Sequence, residues 1–372
     1  MRWLPERTNR PPTWLASISL IAGLGAPALT GTATASATFP GKSGRIAVVV
    51  TDPRDASRPT NVMTMSQDGS HRTLITHTRA GREAGPTNVA FSPDGRRIVF
   101  DRRACGDTCH SNIGVMSSNG SHTRLLTQRR GGFDTNFGFS PGGSRIGFTR
   151  DGRDIFVVSA HGGRPQRLTH YGAGVAAIGP SFSPDGRTVL FDKFEATYRN
   201  GIAASTDTIC VVAIASREES CLGAGSSPGW APGGRSILFT DPDNSGISAM
   251  RPDGSDTTVL ISGSRMRPLA FSPDGKHFAF LRETATGRRL FIAKSDGTQR
   301  RTITHDRKDF EDSFDLAFSP DAQQVIYRRG GRTAFYASRI AGSHEKRIPV
   351  TPRRIEGPSG SLAWAPRSIA RP

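Results

Sequence analysis

The chain has 372 residues, enough to bury a substantial core either as two domains or as one large repeat domain. Its 49 Lys and Arg against 32 Asp and Glu give a formal charge of +17, a balance that attracts polyanions. Beyond residue 37 no run is apolar and long enough to cross a bilayer as a helix, which excludes a multi-span helical membrane protein.

Residues 1–37 differ from the rest. Arg2, Arg7 and Arg10 form a basic start, Trp14 to Leu29 is an apolar run broken by Pro27, and Ala35-Ser36-Ala37 offers small residues for cleavage. This is the pattern of a secretory leader, and the run falls short of the roughly 20 residues that a membrane anchor needs. The expected mature chain is therefore 38–372, secreted or held in the cell envelope without membrane insertion. It carries +15 once the leader's three arginines and one glutamate are gone. In that compartment acidic protein or an anionic envelope polymer is the available partner, and nucleic acid is not expected.

Gly44 to Val50 (GRIAVVV) predicts a strand, followed by two more in TNVMTMSQDG and HRTLIT. From Phe91 the stretch FSPDGRRIVF predicts a strand end, a tight turn and a second strand: Pro fixes φ, Asp accepts a local backbone hydrogen bond and Gly supplies positive φ. Close copies start at Phe139, Phe182, Trp230, Phe271 and Phe318, with a truncated WAPRS at Trp364, so motif starts lie 41 to 48 residues apart. Between them fall two further apolar runs joined by a Gly-containing hairpin, as in DIFVVSAHGG and PQRLT. Four short strands per 40 to 50 residues is the period of a β-propeller blade.

The expected fold is all-β: a seven-bladed β-propeller of four-stranded antiparallel blades. The blade begun by Gly44 to Val50 lacks its first strand, and Ser361 to Pro366 (SLAWAP) is a first strand with nothing after it. Joined, they close the ring and remove free sheet edges. Six regular blades is the alternative.

The SPDG-type turns with trailing Leu-Thr, as in Leu126-Thr127 and Leu168-Thr169, resemble the WD40-like repeats of TolB-type β-propellers across essentially the whole mature chain. The resemblance implies a periplasmic or secreted propeller that binds proteins. Related repeats also accompany peptidase domains and occur in oligogalacturonate-lyase-like enzymes.

Cys210 and Cys221 flank the turn of one predicted hairpin and face each other across it, within disulfide reach; Cys105 and Cys109 would close a short loop. A metal set of Cys105, Cys109 and His110 is the alternative, and an oxidising compartment favours the bridges.

The repeated Ser and Asp invite a catalytic reading, but the same residues around a ring cannot all be one active site, and Gly142 and Gly233 replace the Asp in two copies. Gly225-Ser226-Ser227-Pro228-Gly229 matches a nucleophile elbow, which needs a following helix where a strand is expected. Asp241 to Gly246 begins like a calcium loop, yet its twelfth position is Pro252. His77, His170 and His305 follow the third run in three repeats, at the outer rim. The acidic stretch His305 to Asp315 reads as a connector or a partner contact. No catalytic residue, metal or cofactor is assigned.

Residues that differ between repeats are better candidates. One position before each motif stand Ala90, Gly138, Ser181, Gly229, Ala270, Ala317 and Ala363, all small; three positions before, the residues are mostly polar. Asn88, Asn136, Asp315 and Ser361 from that position, with Asp134 and Arg267 close by, are the candidate ligand-binding residues, at the mouth of a central channel. The expected protein is a monomeric, non-catalytic interaction module. Its rival is a metal-assisted polysaccharide lyase, with two or more His converging at that mouth.

Overall fold

A computed structural model describes residues 39–51, 59–78, 83–105, 108–199, 202–284, 287–304, 316–328, 335–341, 345–348 and 362–366. The expected leader, the stretch His305 to Asp315 and Ser361 lie outside the described residues. Strands alone make up the regular structure described, and no helix occurs among these residues.

Five sheets carry four antiparallel strands each, the architecture of a β-propeller. A sixth has nine strands, because two repeats fuse where Cys109–Ser117 runs briefly parallel to Gly132–Phe139. In the first sheet Leu362–Pro366 pairs with Ser43–Thr51, setting Trp364 opposite Ile46, so the C-terminal strand completes the sheet begun at the N-terminus. Several outermost strands are very short, two residues in Thr73–Leu74, Arg124–Leu125, Gln166–Arg167 and Arg301–Thr302. Hairpin length varies more than the even apolar runs suggest. Thr188–Arg199 and Ile202–Ala213 have 12 residues each, against four and five in Ile237–Thr240 and Gly246–Met250.

Each Ser-Pro turn is built round a buried serine. Ser272 Oγ donates to Asp274 Oδ1 at 2.7 Å and accepts from His277 N at 2.9 Å, and Lys276 N donates to the same carboxylate oxygen at 3.1 Å. The same set recurs at Ser92, Ser183 and Ser319. At Asp185 the bonds from Ser183 and from Arg187 N hold the carboxyl below its ordinary value. Gly95 takes φ +66°, and a Cβ there would collide with the carbonyl of Pro366, so this turn also needs glycine for close approach. Successive turns stack: Pro93 packs on Gly143, Pro141 on Gly186, Pro184 on Gly234 and Pro232 on Gly275. Replacing Ser272 with Ala leaves the His277 amide without its side-chain partner and removes one of the two hydrogen bonds to Asp274 Oδ1, and should cost about 1–2 kcal/mol in urea unfolding with an unchanged m value.

The trailing Leu-Thr has a similar explanation. The hydroxyls of Thr76, Thr127, Thr169 and Thr304 accept from the backbone amides of Val62, Ile113, Ile155 and Leu290 at 2.8–3.1 Å, tying each short outer strand to its neighbour.

The core is divided. Apolar clusters among the described residues each lie between two successive repeats, as Ile155, Leu168, Val189 and Phe191 do. One joins the last sheet to the first, through Ile326, Phe335, Ile46, Met63 and Trp364.

Candidate functional site

The first strands of the sheets converge on a cavity of about 570 Å3. Val89–Phe91, Gly132–Phe139, Val175–Phe182, Ser226–Trp230 and Met266–Phe271 all contribute to its wall, and the prolines of four turns, Pro141, Pro184, Pro232 and Pro273, line its turn end. Small residues keep it open: Ala90, Gly138, Ser181, Gly229 and Ala270 stand in the wall, one place before each motif. Phe39 and Pro40 line it too. The size lies within the range of small-molecule pockets.

Of the candidate residues, Asn88, Asn136 and Arg267 line this cavity. Asp134 is fully buried and committed elsewhere, receiving Arg150 Nε at 2.7 Å and Nη2 at 3.0 Å. Asp315 and Ser361 lie outside the described residues. Asn136 and its counterpart Ser227 have φ of +49° and +53°, and Gly179 has +62°. The first strands bulge near these positions, between Ile178 and Ser181 and between Ser226 and Gly229. Asn, Gly and Ser recur three places before the motif partly because this backbone tolerates them.

A charge inside the cavity escaped the sequence. Asp192 lines the wall and is 7% exposed; its Oδ2 accepts from Ser227 N of the next sheet at 3.0 Å. Its Oδ1 is buried and receives no N–H or hydroxyl hydrogen bond among the described residues, and the Asp207 carboxyl, on the neighbouring strand, lies within hydrogen-bonding reach of the Asp192 carboxyl, a contact that needs a proton on one of the two. Burial, then Asp207, pushes the Asp192 carboxyl up to about 7, and burial raises Asp207 as well. Two carboxylates this close do not both ionise readily, so below about pH 7 Asp192 keeps the proton. The only signal in the sequence is position: Asp101, Thr149, Asp192 and Thr240 all follow a motif's final Phe. The structure uses them as ties to first-strand backbone. Asp101 accepts from Thr87 N at 2.8 Å and Asn88 N at 2.7 Å, while Thr149 and Thr240 hydroxyls donate to Ala177 and Met266 carbonyls.

Arg267 is the cavity's cation. Among the described residues no hydrogen bond or ion pair engages its guanidinium, and burial, with Arg288 adding repulsion, pulls it below its ordinary value. Trp230 Nε1 is also buried without a partner in this wall.

The other candidates resolve into architecture. His77 and His170 are exposed, one place beyond the capping threonines. Cys105 is bridged to Cys109, and Cys210 to Cys221, which are directly opposed with Cα atoms 4.0 Å apart. Among the described residues, Cys210, Glu219 and Cys221 form the one cluster of metal-ligating type, and the bridge occupies both sulfurs. Asp241 to Gly246 closes as a turn on its own groups, Ser245 N donating to Asp243 Oδ1 at 3.0 Å. Ser227 lies within the strand Ser226–Trp230, and the next element is another strand, Ile237–Thr240, not a helix.

Comparison with known proteins agrees with this architecture. Residues 64–264 match the family model of the TolB beta propeller domain. The Tol-Pal system protein TolB of Gluconobacter oxydans is 38% identical over 63 residues, 16% of this chain and 14% of that protein. The chain thus aligns with about one seventh of that relative's length. Among solved structures, an oligogalacturonate lyase in complex with manganese superposes with a TM-score of 0.58 at 13% identity, covering 84% of this chain and 86% of that one. TolB from Acinetobacter baumannii gives 0.50 at 20% identity, over 88% and 68%. At such identities these likenesses show the fold. With more than half its length matched by one family model, and with the repeated turns and four-stranded sheets that define it, the chain belongs to the TolB β-propeller domain family.

Proposed function

We propose that this chain is an exported, monomeric, non-catalytic seven-bladed propeller that binds a protein or an anionic envelope polymer through the hairpin face and the cavity that opens on it. The seven-bladed, closed ring is supported by the apolar clusters that pass from each repeat to the next and from the last back to the first. Each second strand runs from its Ser-Pro turn to its hairpin, so the hairpins and the beginnings of the first strands, including Arg267, share one face. The observation that carries the binding reading is the cavity, walled largely by backbone, proline and aromatic groups and carrying one guanidinium, Arg267, that is unpaired among the described residues.

The lyase reading draws on fold similarity to the manganese-bound lyase. It requires imidazoles at the cavity, and the described His77 and His170 are not among its lining residues.

Pull-down from envelope extract at low and high salt tests the proposal. Recovery of one protein at both salts is the outcome expected for a specific partner, and recovery lost at high salt is expected for a polyanion. Recovery of nothing at either salt removes the binding reading.

A further inference from the structure

The cavity combines two properties that together select a ligand. Its walls are largely apolar, with Phe137, Phe182, Trp230, Phe271 and the turn prolines among the lining residues, whereas the outer surface is not: Val259 is the one exposed large hydrophobic among the described residues. Apolar recognition is therefore available inside, not outside. Against these walls stands a single unpaired cation, Arg267. A guanidinium offers a planar fork of donors that matches a carboxylate bidentately, and a half-buried cation without a counter-ion is costly to keep.

We propose that the cavity binds a carboxylate carried on an apolar body, with Arg267 taking the carboxylate and the aromatic and proline walls taking the body. The inference rests on the binding reading above and specifies its ligand chemistry. Asn88 and Asn136, in the same wall, supply amide groups at the cavity. Asp192 is the other ionisable group among the lining residues. One of its oxygens is satisfied by Ser227 N, and Asp207 stands beside it on the adjacent strand. Held protonated, it leaves the charge of Arg267 uncancelled. Arg288, on the strand beyond, adds positive potential. A free small acid and the C-terminal residue of a partner chain present the same chemistry.

The test is isothermal titration of the full chain at pH 6 with 4-phenylbutyrate, with the peptide Ala-Ala-Phe, and with the amide of each. Tighter binding of an acid than of its amide, by tenfold or more, is expected. Arg267→Gln should abolish that preference and Arg267→Lys should keep part of it, with matched melting curves as the folding control. Preference seen only with phenylbutyrate assigns the site to small acids, and preference only with the peptide assigns it to a chain terminus; either supports the proposal. Equal binding of acid and amide, no binding of any probe, or a preference that survives Arg267→Gln overturns it. The two readings fail separately: a partner recovered equally well by the Arg267→Gln chain leaves the binding module standing while this site falls.

Discussion

A chain ending at Ser361 is expected to lose soluble, cooperatively folded protein altogether. The removed residues include Leu362–Pro366, whose Leu362, Ala363, Trp364 and Ala365 are at most 2% exposed. They pack in two clusters at once, Trp364 and Leu362 against the last sheet's Ile326 and Phe335, Ala363 and Ala365 against Val89 and Phe91. Burying a large aromatic alone is worth about 3–5 kcal/mol by truncation to Ala, and the strand adds its backbone pairing with Ser43–Thr51. That is a large part of the roughly 5–15 kcal/mol that holds a domain folded. Its loss also bares Ile46 to Val50, an apolar run buried on both faces, as an open sheet edge. The measurement is soluble yield and a size-exclusion profile beside the full chain. A monomeric truncated protein that melts cooperatively at the same temperature would show that the ends do not share a blade. Trp364→Ala, which keeps the strand, is the milder companion and should lower stability without abolishing folding.

The architecture was legible because it repeats. A turn that must satisfy Pro, Asp and Gly geometry leaves the same letters at Phe91, Phe182 and Phe271, and a strand without a partner at each end of the chain announces its pairing. Each serine's buried bonding was harder to read, since a serine in a turn looks like any exposed hydroxyl until Ser272 is seen with no exposed surface. Function left fainter marks. Arg267 could be found because it is a large cation at a position where the other repeats carry Thr87, Thr135, Ile178, Ser226, Phe314 and Gly360, none of them charged. Asp134 looked equally suitable, but Arg150, sixteen residues away across the hairpin, claims both its oxygens. Pairing of that kind depends on register and rotamer, which spacing alone does not fix. Asp192 was invisible for the opposite reason: it sits in a strand as one more polar residue, and only the approach of Asp207 and of the next sheet's Ser227 changes its chemistry.

That changed chemistry gives the second large effect, a stability that falls as pH rises from about 4 to about 7. The folded Asp192 carboxyl is raised to about 7 by burial and by Asp207, while the unfolded one titrates near its ordinary value. Between those values the native state binds more protons than the unfolded state, so stability is fully present below the unfolded value and is lost as pH climbs through the folded one. The groups around the carboxyl leave no compensating cation: Ser227 N donates to Oδ2, and Asp207 is itself an acid raised by burial. Asp192→Asn removes the titration while an amide still fits beside Ser227 N and Asp207. The variant should therefore gain on the parent as pH rises, by on the order of 3 kcal/mol at pH 8 relative to pH 4. In a chain of this size that amounts to about 4 °C in melting temperature. Differential scanning calorimetry of both proteins across pH 4 to 8 reads the difference directly. A gap between the two melting curves that stays constant with pH would mean that Asp192 is ionised in the folded protein throughout, and the cavity would then hold an ion pair's worth of opposite charges in place of a lone cation.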